Sequence, residues 1–523
     1  MSTIHSTLEA RPPVLLISTI LGHILNIFKK YGTKALGTYL LYILFKYQNC
    51  ALGVRPRPEL KSPRGIPLLG NTVEILTRRR EDNYQIQTKF HEKYGRIYAM
   101  TILGLGRVIN VSEPEAMDHV LRVNFWAYEK GAYFRTVLDP LFGGGIFGAD
   151  GQHWRWQRKL ASRIFTVQGF RDFTDTVFCK EADLVRNYLG KIADQGRVID
   201  LQEIFYKFTL DSFGEIAFGE SFGCLKDLDQ EVEFASAFDR LNTSLSHRFG
   251  TPFWKFTQWW TGEQEQIERD TKTVYDFAYG VIQRRREQGF QMQHKDLMQL
   301  FMEAEDEDGK PLSTGMMKDT LMNFVIAGRD TTAQALSWMF YLIHRSSARK
   351  EILEKLQEET DRILKGGYPT YETTKQQKYA EACLHETLRL YPSVPQNMKI
   401  CVEDDVLPGG YKVYKGEKIA WSTWSMGRDT GIWGPDALEF KPERWLTGEK
   451  PSSSKFVSFH LGPRTCLGQQ FATIEAITML SLLLQRFTFE LVNPDIEPGY
   501  IASLTLPMAK GLPIRCKHRV DKE

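Results

Sequence analysis

The run Phe459-His460-Leu461-Gly462-Pro463-Arg464-Thr465-Cys466-Leu467-Gly468 concentrates residue types suited to holding a flat metal complex. Cys466 stands just before a helix-like stretch, QQFATIEAITMLSLLL. There a thiolate is favoured by the helix dipole and by free backbone N–H groups. Gly462 and Gly468 let the backbone approach a flat object closely, and Arg464 can meet a carboxylate. Those are the needs of a thiolate ligand beneath a haem. The competing reading is a buried free cysteine at a loop–helix junction.

Three further groupings carry potential chemistry. Glu386 and Arg389 are three residues apart, so they share a helix face and can pair; Arg444 can join them, provided that the cluster is fully hydrogen-bonded. In Ala327-Gly328-Arg329-Asp330-Thr331-Thr332, the glycine weakens the backbone and the threonines can bond back to carbonyls, which predicts a local opening of a long helix. Trp154 and Arg158 lie one turn apart on a single face. On the same helix Arg155, Lys159 and Arg163 recur at helical spacing, either as a docking face for an acidic protein or as a merely solvated basic face.

The elements that must position these residues follow from the rest of the chain. Its 523 residues are 42% hydrophobic and 25% charged, with 32 Phe, 21 Tyr and 11 Trp, enough to bury a large core. A net charge of +3 is too balanced for a dedicated nucleic-acid binder, so no nucleic acid is expected as a partner. Mean hydropathy of -0.33 excludes a polytopic membrane protein but not a single anchor. The seven cysteines are scattered without a CxxC pair, against a disulfide framework or structural zinc and in favour of a reducing compartment.

Pro12 to Phe28 is mostly apolar and is followed by Lys29 and Lys30, which predicts a retained membrane anchor within residues 1–54 with its exit in the cytosol. A cleaved signal peptide and a buried core helix are the competing readings. Ala35 to Phe45, too short to span alone, would lie at the interface or extend the anchor. The proline-rich segment 55–71 reads as a stiff connector. Residues 72–523 then form one large, mostly helical domain, 55–523 with the connector, with short strands at Arg96–Thr101 and Arg107–Val111. The helix 317–343 is apolar nearly all round and should run through the core. Gly143 to Gly148 satisfies GxGxxG, but no clear strand leads into it, so it reads as a flexible loop. The sequons at Asn110 and Asn242 are not expected to be glycosylated.

FHLGPRTCLG resembles the FxxGxRxCxG haem-binding loop of the cytochrome P450 superfamily. Glu386-Thr387-Leu388-Arg389 is similar to that family's ExxR helix. Phe440-Lys441-Pro442-Glu443-Arg444-Trp445 resembles its PERF-type segment, with Trp in place of the final Phe. AGRDTT resembles its oxygen-activating motif, and Trp154-x-x-x-Arg158 its propionate-binding helix. The resemblance implies a mainly α fold with small β-sheets (α+β), a single haem domain behind the anchor, and haem as cofactor with Cys466 as axial thiolate. It further implies cofactor contacts from Phe459, Arg464, Trp154, Arg158 and Lys399, the last a point charge where the family often has an arginine. Asp330 and Thr331 would guide protons during dioxygen cleavage, and Glu386, Arg389 and Arg444 would support the pocket.

The implied activity is monooxygenation of a hydrophobic substrate at the endoplasmic reticulum membrane, with the domain facing the cytosol. Electrons would come from NADPH through NADPH–cytochrome P450 reductase, with cytochrome b5 as an additional partner. AGRDTTA, GPRTCLGQQFA and DGQHWRWQRKLAS look most like yeast alkane hydroxylases and plant long-chain fatty-acid omega-hydroxylases. Steroid or xenobiotic hydroxylation is the alternative, and a haem protein without turnover is the alternative of another class. Phe134, Phe147, Phe238, Val394 and Leu504 are the expected pocket walls.

Overall fold

Ile97–Ile102 (β1) pairs antiparallel with Gly106–Val111 (β2), each within a residue of its predicted bounds. Gly104 in the turn between them and Gly106 at the start of β2 adopt φ of +77° and +88°, a region that favours glycine. In this computed structural model, which describes residues 34–288, 296–306, 309–448 and 451–520 together with Gly22 and Gly32, helices dominate and the sheets are small. The remaining strands are Tyr128–Glu129 (β3), Val198–Asp200 (β4), Gln396–Cys401 (β5), Asp405–Leu407 (β6), Tyr411–Val413 (β7), Lys418–Ser422 (β8), Phe487–Leu491 (β9) and Pro513–His518 (β10). They form sheets ordered β1-β2-β8-β5-β3, β4-β10-β9 and β6-β7. This is the mainly α arrangement expected.

The predicted core helix is present as Thr314–Val325 and Thr331–Arg345, joined without a break by a π-helical turn at Ile326–Asp330. Almost every residue of its second half is buried. Leu201–Phe218 packs along it and is itself nearly all buried. Against these lie Lys378–Leu390, which carries the Glu386–Arg389 pair, and Gln469–Arg486, which begins three residues after Cys466.

Two expectations change. The proline-rich segment is free of helix, but it is bonded into the domain rather than standing off from it. Ala51 bridges Leu68 and Leu69, Gly70 bridges Ile102, and Arg57 pairs with Glu417 at 2.9 Å. The Gly143–Gly148 loop is likewise pinned to the central helix. Gly144 N–H donates to Asp319 Oδ2 at 2.9 Å, Phe147 N–H donates to Asn323 Oδ1 at 3.0 Å, and a Cβ at Gly145 would fall 2.1 Å from the Asn323 side chain.

The expected anchor, Pro12 to Phe28, lies outside the described residues except for Gly22. Residues 34–46 are helical, and Leu41 and Phe45 on that helix are 68% and 73% exposed. Among the described residues no helix is long and apolar enough to cross a membrane.

Candidate functional site

The Cys466 loop is held by its own backbone. Cys466 N–H donates to the Phe459 carbonyl at 2.8 Å, and Thr465 N–H and hydroxyl both bond to the Gly462 carbonyl. Gly462 has φ +66°, and a Cβ there would fall 2.1 Å from the Leu121 carbonyl. Its need for glycine is therefore the approach of this chain's own backbone. A Cβ at Gly468 would sit at an ordinary 3.9 Å from Cys466 Sγ. Cys466 lies deep in the fold yet its side chain is exposed, because it faces a cavity. Burial pushes its thiol pKa up, while the Gly468 N–H and the Arg158 charge pull it down.

Across the cavity from Cys466 stands the π-helical turn, where Ala327, Gly328, Thr331 and Thr332 form part of the wall. A π turn leaves carbonyls without their normal helical donors. Three hydroxyls take carbonyls in and beside this turn: Thr331 bonds Ala327 O at 2.7 Å, Thr209 bonds Arg329 O at 2.9 Å, and Ser393 bonds Thr331 O at 2.8 Å. Gly328 is required by Phe213, whose ring would lie 2.2 Å from an added Cβ. The predicted opening of the helix is thus present.

Asp330 and Thr331 do not border the same space. Thr331 lines the cavity over Cys466, whereas Asp330 lines a neighbouring polar cavity with Asp200, Glu203, Asp239 and Asn242. Consecutive helical residues point about 100° apart, and here that rotation carries Asp330 away from the cavity that Thr331 meets. Asp330 is 1% exposed; Arg329 donates to its Oδ1 at 2.7 Å, and Asn242 and Thr505 donate to Oδ2 at 3.3 and 3.5 Å. Burial raises its pKa to about 7 despite Arg329, whose charge is already forked onto Asp239 at 2.6 and 2.9 Å. Asn242, singled out only as a sequon, is buried here.

One flank of the cavity is cationic. The guanidinium groups of Arg464 and Arg158 lie 4.6 and 5.8 Å from the Trp154 ring centroid. Arg464 pairs with Asp150 at 3.0 Å, and Arg158 donates to the Thr465 carbonyl at 2.6 Å. Lys399 sits one layer behind the wall, fully buried, donating to the Tyr128 carbonyl at 3.0 Å. The lysine on the wall is Lys130, which the sequence reading did not single out; its Nζ donates to Asn397 at 2.6 Å. Burial lowers Lys130 to about 7 and Arg464 to about 10, and it depresses Lys399 and His460 strongly, with neighbouring positive charges adding to each shift.

His460 Nε2 is buried without a hydrogen-bond partner. A wall of crowded cations, served mainly by Asp150, favours an anionic group at the cavity. A flat ring system with carboxylates on one edge and a metal meeting Cys466 fits this donor set. Phe147, Val394 and Phe459 do line the cavity; Phe134, Phe238 and Leu504 do not, and pack instead with the neighbouring core.

The helix Lys378–Leu390 has two working faces. Leu384 and Leu388 line the cavity, and Ser458 of the Cys466 loop donates to the Leu388 carbonyl at 2.8 Å. On the other face Glu386, fully buried, accepts from Arg389 at 2.7 and 2.8 Å, from Lys441 N–H at 3.0 Å and from the Trp445 indole at 2.9 Å. Arg444 reaches it only at 3.5 Å and spends its other donors on the Trp433 and Asp436 carbonyls. The Trp that replaces the usual final Phe therefore supplies a hydrogen bond that Phe has no means to make.

The family model described as Cytochrome P450 matches residues 60–511. The chain is 37% identical over 518 residues to Cytochrome P450 monooxygenase cyp1 of Mycosarcoma maydis, covering 93% of this chain and 80% of that protein. It is 35% identical to Cytochrome P450 704C1 of Pinus taeda, covering 79% and 85% of the two chains. To Cytochrome P450 86B1 of Arabidopsis thaliana it is 36% identical, covering 79% and 77%.

Proposed function

Since the chain belongs to the cytochrome P450 family of haem-thiolate monooxygenases, we propose that it hydroxylates the alkyl chain of a long-chain fatty acid or alkane at or near the methyl end. Bound haem supplies the oxygen chemistry: one atom of O2 enters a C–H bond and the other leaves as water, with two electrons and two protons delivered. Cys466 is the thiolate ligand in this reading. Arg464, Lys130, Arg158 and Trp154 would hold the carboxylates of that group, Phe459 would contact it from the cavity wall, and Lys399 would add positive potential from behind. Glu386, Arg389 and Arg444 keep the helix at the cavity edge in place.

The observation that carries the catalytic reading is the pair of cavities met by consecutive residues. Asp330 takes protons from the polar side, and Thr331 keeps a hydroxyl on the apolar side, where the alkyl chain excludes bulk water. The apolar walls, with Phe147, Phe213 and Val394 among them, suit a hydrocarbon, as does the likeness of AGRDTTA and GPRTCLGQQFA to alkane and fatty-acid hydroxylases.

Electrons come from NADPH through a reductase docked on the exposed basic residues Arg155, Lys159 and Arg163. The segment before residue 55 anchors the domain to the endoplasmic reticulum membrane, on its cytosolic side. The test is a product assay with full-length protein, reductase and NADPH, offering hexadecanoic acid and a steroid in parallel. Hydroxylation near the methyl end of the acid supports the reading; oxidation of the steroid alone overturns the substrate and leaves the haem chemistry standing.

A further inference from the structure

The polar cavity that Asp330 meets has a volume of about 380 Å³ and is lined by four carboxylates among the described residues. Three of them are committed. Asp200 accepts from the backbone N–H groups of Gln202 and Leu512 at 2.9 and 2.8 Å. Asp239 takes the fork of Arg329, and Asp330 accepts from Arg329, Asn242 and Thr505. Glu203, the fourth, is exposed and has neither a hydrogen bond nor an ion pair among the described residues. It stands where the cavity adjoins a second depression, walled by Lys207 and Glu231, and like Tyr206 and Asp239 it lines both spaces. Glu203 is therefore the carboxylate at the mouth, and Asp330, 1% exposed, the one at the floor.

The helix Leu201–Phe218 sets this order. Glu203 falls in its first turn, and Tyr206, three residues on, shares that face one turn further along. Tyr206 is buried, and its hydroxyl accepts from Gln334 Nε2 at 2.9 Å. The same amide donates to the Thr505 hydroxyl at 2.9 Å, and that hydroxyl donates to Asp330 Oδ2 at 3.5 Å. Polar groups thus border the way from the exposed carboxyl to the buried one. Charges act on Glu203 from several elements: Asp200 and Lys207 before and on its own helix, Asp239 on Glu233–His247, and Arg329 in the π-helical turn; Lys510 lines the same cavity. Protein packed around its unexposed sides, followed by the Asp200 charge, raises the Glu203 pKa above its ordinary value, against the pull of Arg329 and Lys207. A carboxylate in a first turn also suits the helix dipole, which is the purely structural account of this residue.

We propose that Glu203 is the proton-collecting group of this cavity, positioned to recharge Asp330 through the water that the open cavity admits. Its O–H bond breaks as the proton passes to that water, an equivalent proton arrives on Asp330, and the Glu203 carboxylate takes its replacement from bulk solvent. One proton enters and one is delivered, with no electron moved. This assignment rests on the proton route through Asp330 proposed above and adds its surface entry.

Two readouts test it. Infrared spectra of the full-length holoenzyme at about pH 6, above the ordinary glutamate range, report the C=O stretch of protonated carboxyl groups. Glu203→Gln should remove intensity from that band. With reductase, NADPH and hexadecanoic acid, the same variant should lower product per NADPH by about 10-fold, less than loss of the buried acid because bulk water still enters the mouth. Peroxide should rise and the solvent deuterium isotope effect on product formation should grow, while Glu203→Asp should largely restore both. A purely structural role would lower the denaturation midpoint of Glu203→Gln and leave coupling and isotope effect at the parent's values. An unchanged infrared band, or unchanged coupling beside an uncoupled Asp330→Asn, overturns the Glu203 assignment alone. Unchanged coupling in both variants overturns the route through Asp330 with it. The infrared comparison needs no substrate, so it decides the point even if hexadecanoic acid is not turned over.

Discussion

Thr331 donates its hydroxyl to the carbonyl of Ala327 at 2.7 Å, inside the π-helical turn that faces Cys466. The bond fixes the hydroxyl at the cavity wall and leaves its lone pairs free to accept a proton donor. Thr331→Ala keeps the fold, since the other two hydroxyls at the turn remain, but removes this relay. Product formation should drop by about 100-fold. NADPH consumption should fall far less, with hydrogen peroxide making up the difference, and Thr331→Ser should restore coupling. Stoichiometry of NADPH, peroxide and product checks this; unchanged coupling removes Thr331 from the proton route.

Asp330 is a carboxyl group whose folded-state pKa is raised, by burial first, to about 7. The folded protein then holds this proton more tightly than the unfolded chain does. Its contribution to stability is therefore full at low pH and is lost as pH rises from the ordinary carboxylate range through about 7. Asp330→Asn keeps the shape and removes that dependence. Denaturant midpoints at about pH 5 and about pH 8 should differ less in the variant than in the parent. Coupled turnover should fall roughly 100-fold, and any limb of the rate profile near neutrality should vanish.

Among the described residues, Cys466 contributes the single sulfur that lines the cavity, and Cys466→Ala removes it. The ferrous–CO absorption characteristic of thiolate ligation should disappear from the purified protein, whereas a variant at buried Cys383 should retain it. Survival of the band in Cys466→Ala would sink the assignment.

What could be read from sequence was local. The Cys466 loop, the Glu386–Arg389 pair and the Trp154–Arg158 pair each lie within one short segment, where helical spacing dictates neighbours. Asp150 shows what was not legible. It accepts from the Lys130 and Gly131 N–H groups and from Arg464, a residue 314 positions away. Lys130 reaches the wall by that long-range arrangement, while Lys399, the residue favoured by position, ends one layer deeper. The proposed walls Phe134, Phe238 and Leu504 failed for a related reason: distance from a motif along the chain does not say which face of an element meets the cavity.

Glu386 provides the sharpest test of the supporting shell. It is fully buried and accepts from Arg389 twice, from the Lys441 N–H and from the Trp445 indole. Removing one member of a buried ion pair strands the other, at a cost of about 3–5 kcal/mol. Glu386→Ala should therefore destabilise the domain by about that amount and reduce the recovery of haem-loaded protein. Trp445→Phe removes one neutral donor to a charged acceptor and should cost about 1.5–3 kcal/mol. Neither change touches the cavity wall, so haem-loaded Trp445→Phe should keep the parent's thiolate spectrum and product pattern. Chemical denaturation followed by tryptophan fluorescence and by haem absorbance measures both losses. Should Glu386→Ala match the parent's midpoint, the cluster would be a spectator and the helix at the cavity edge would be held by packing alone.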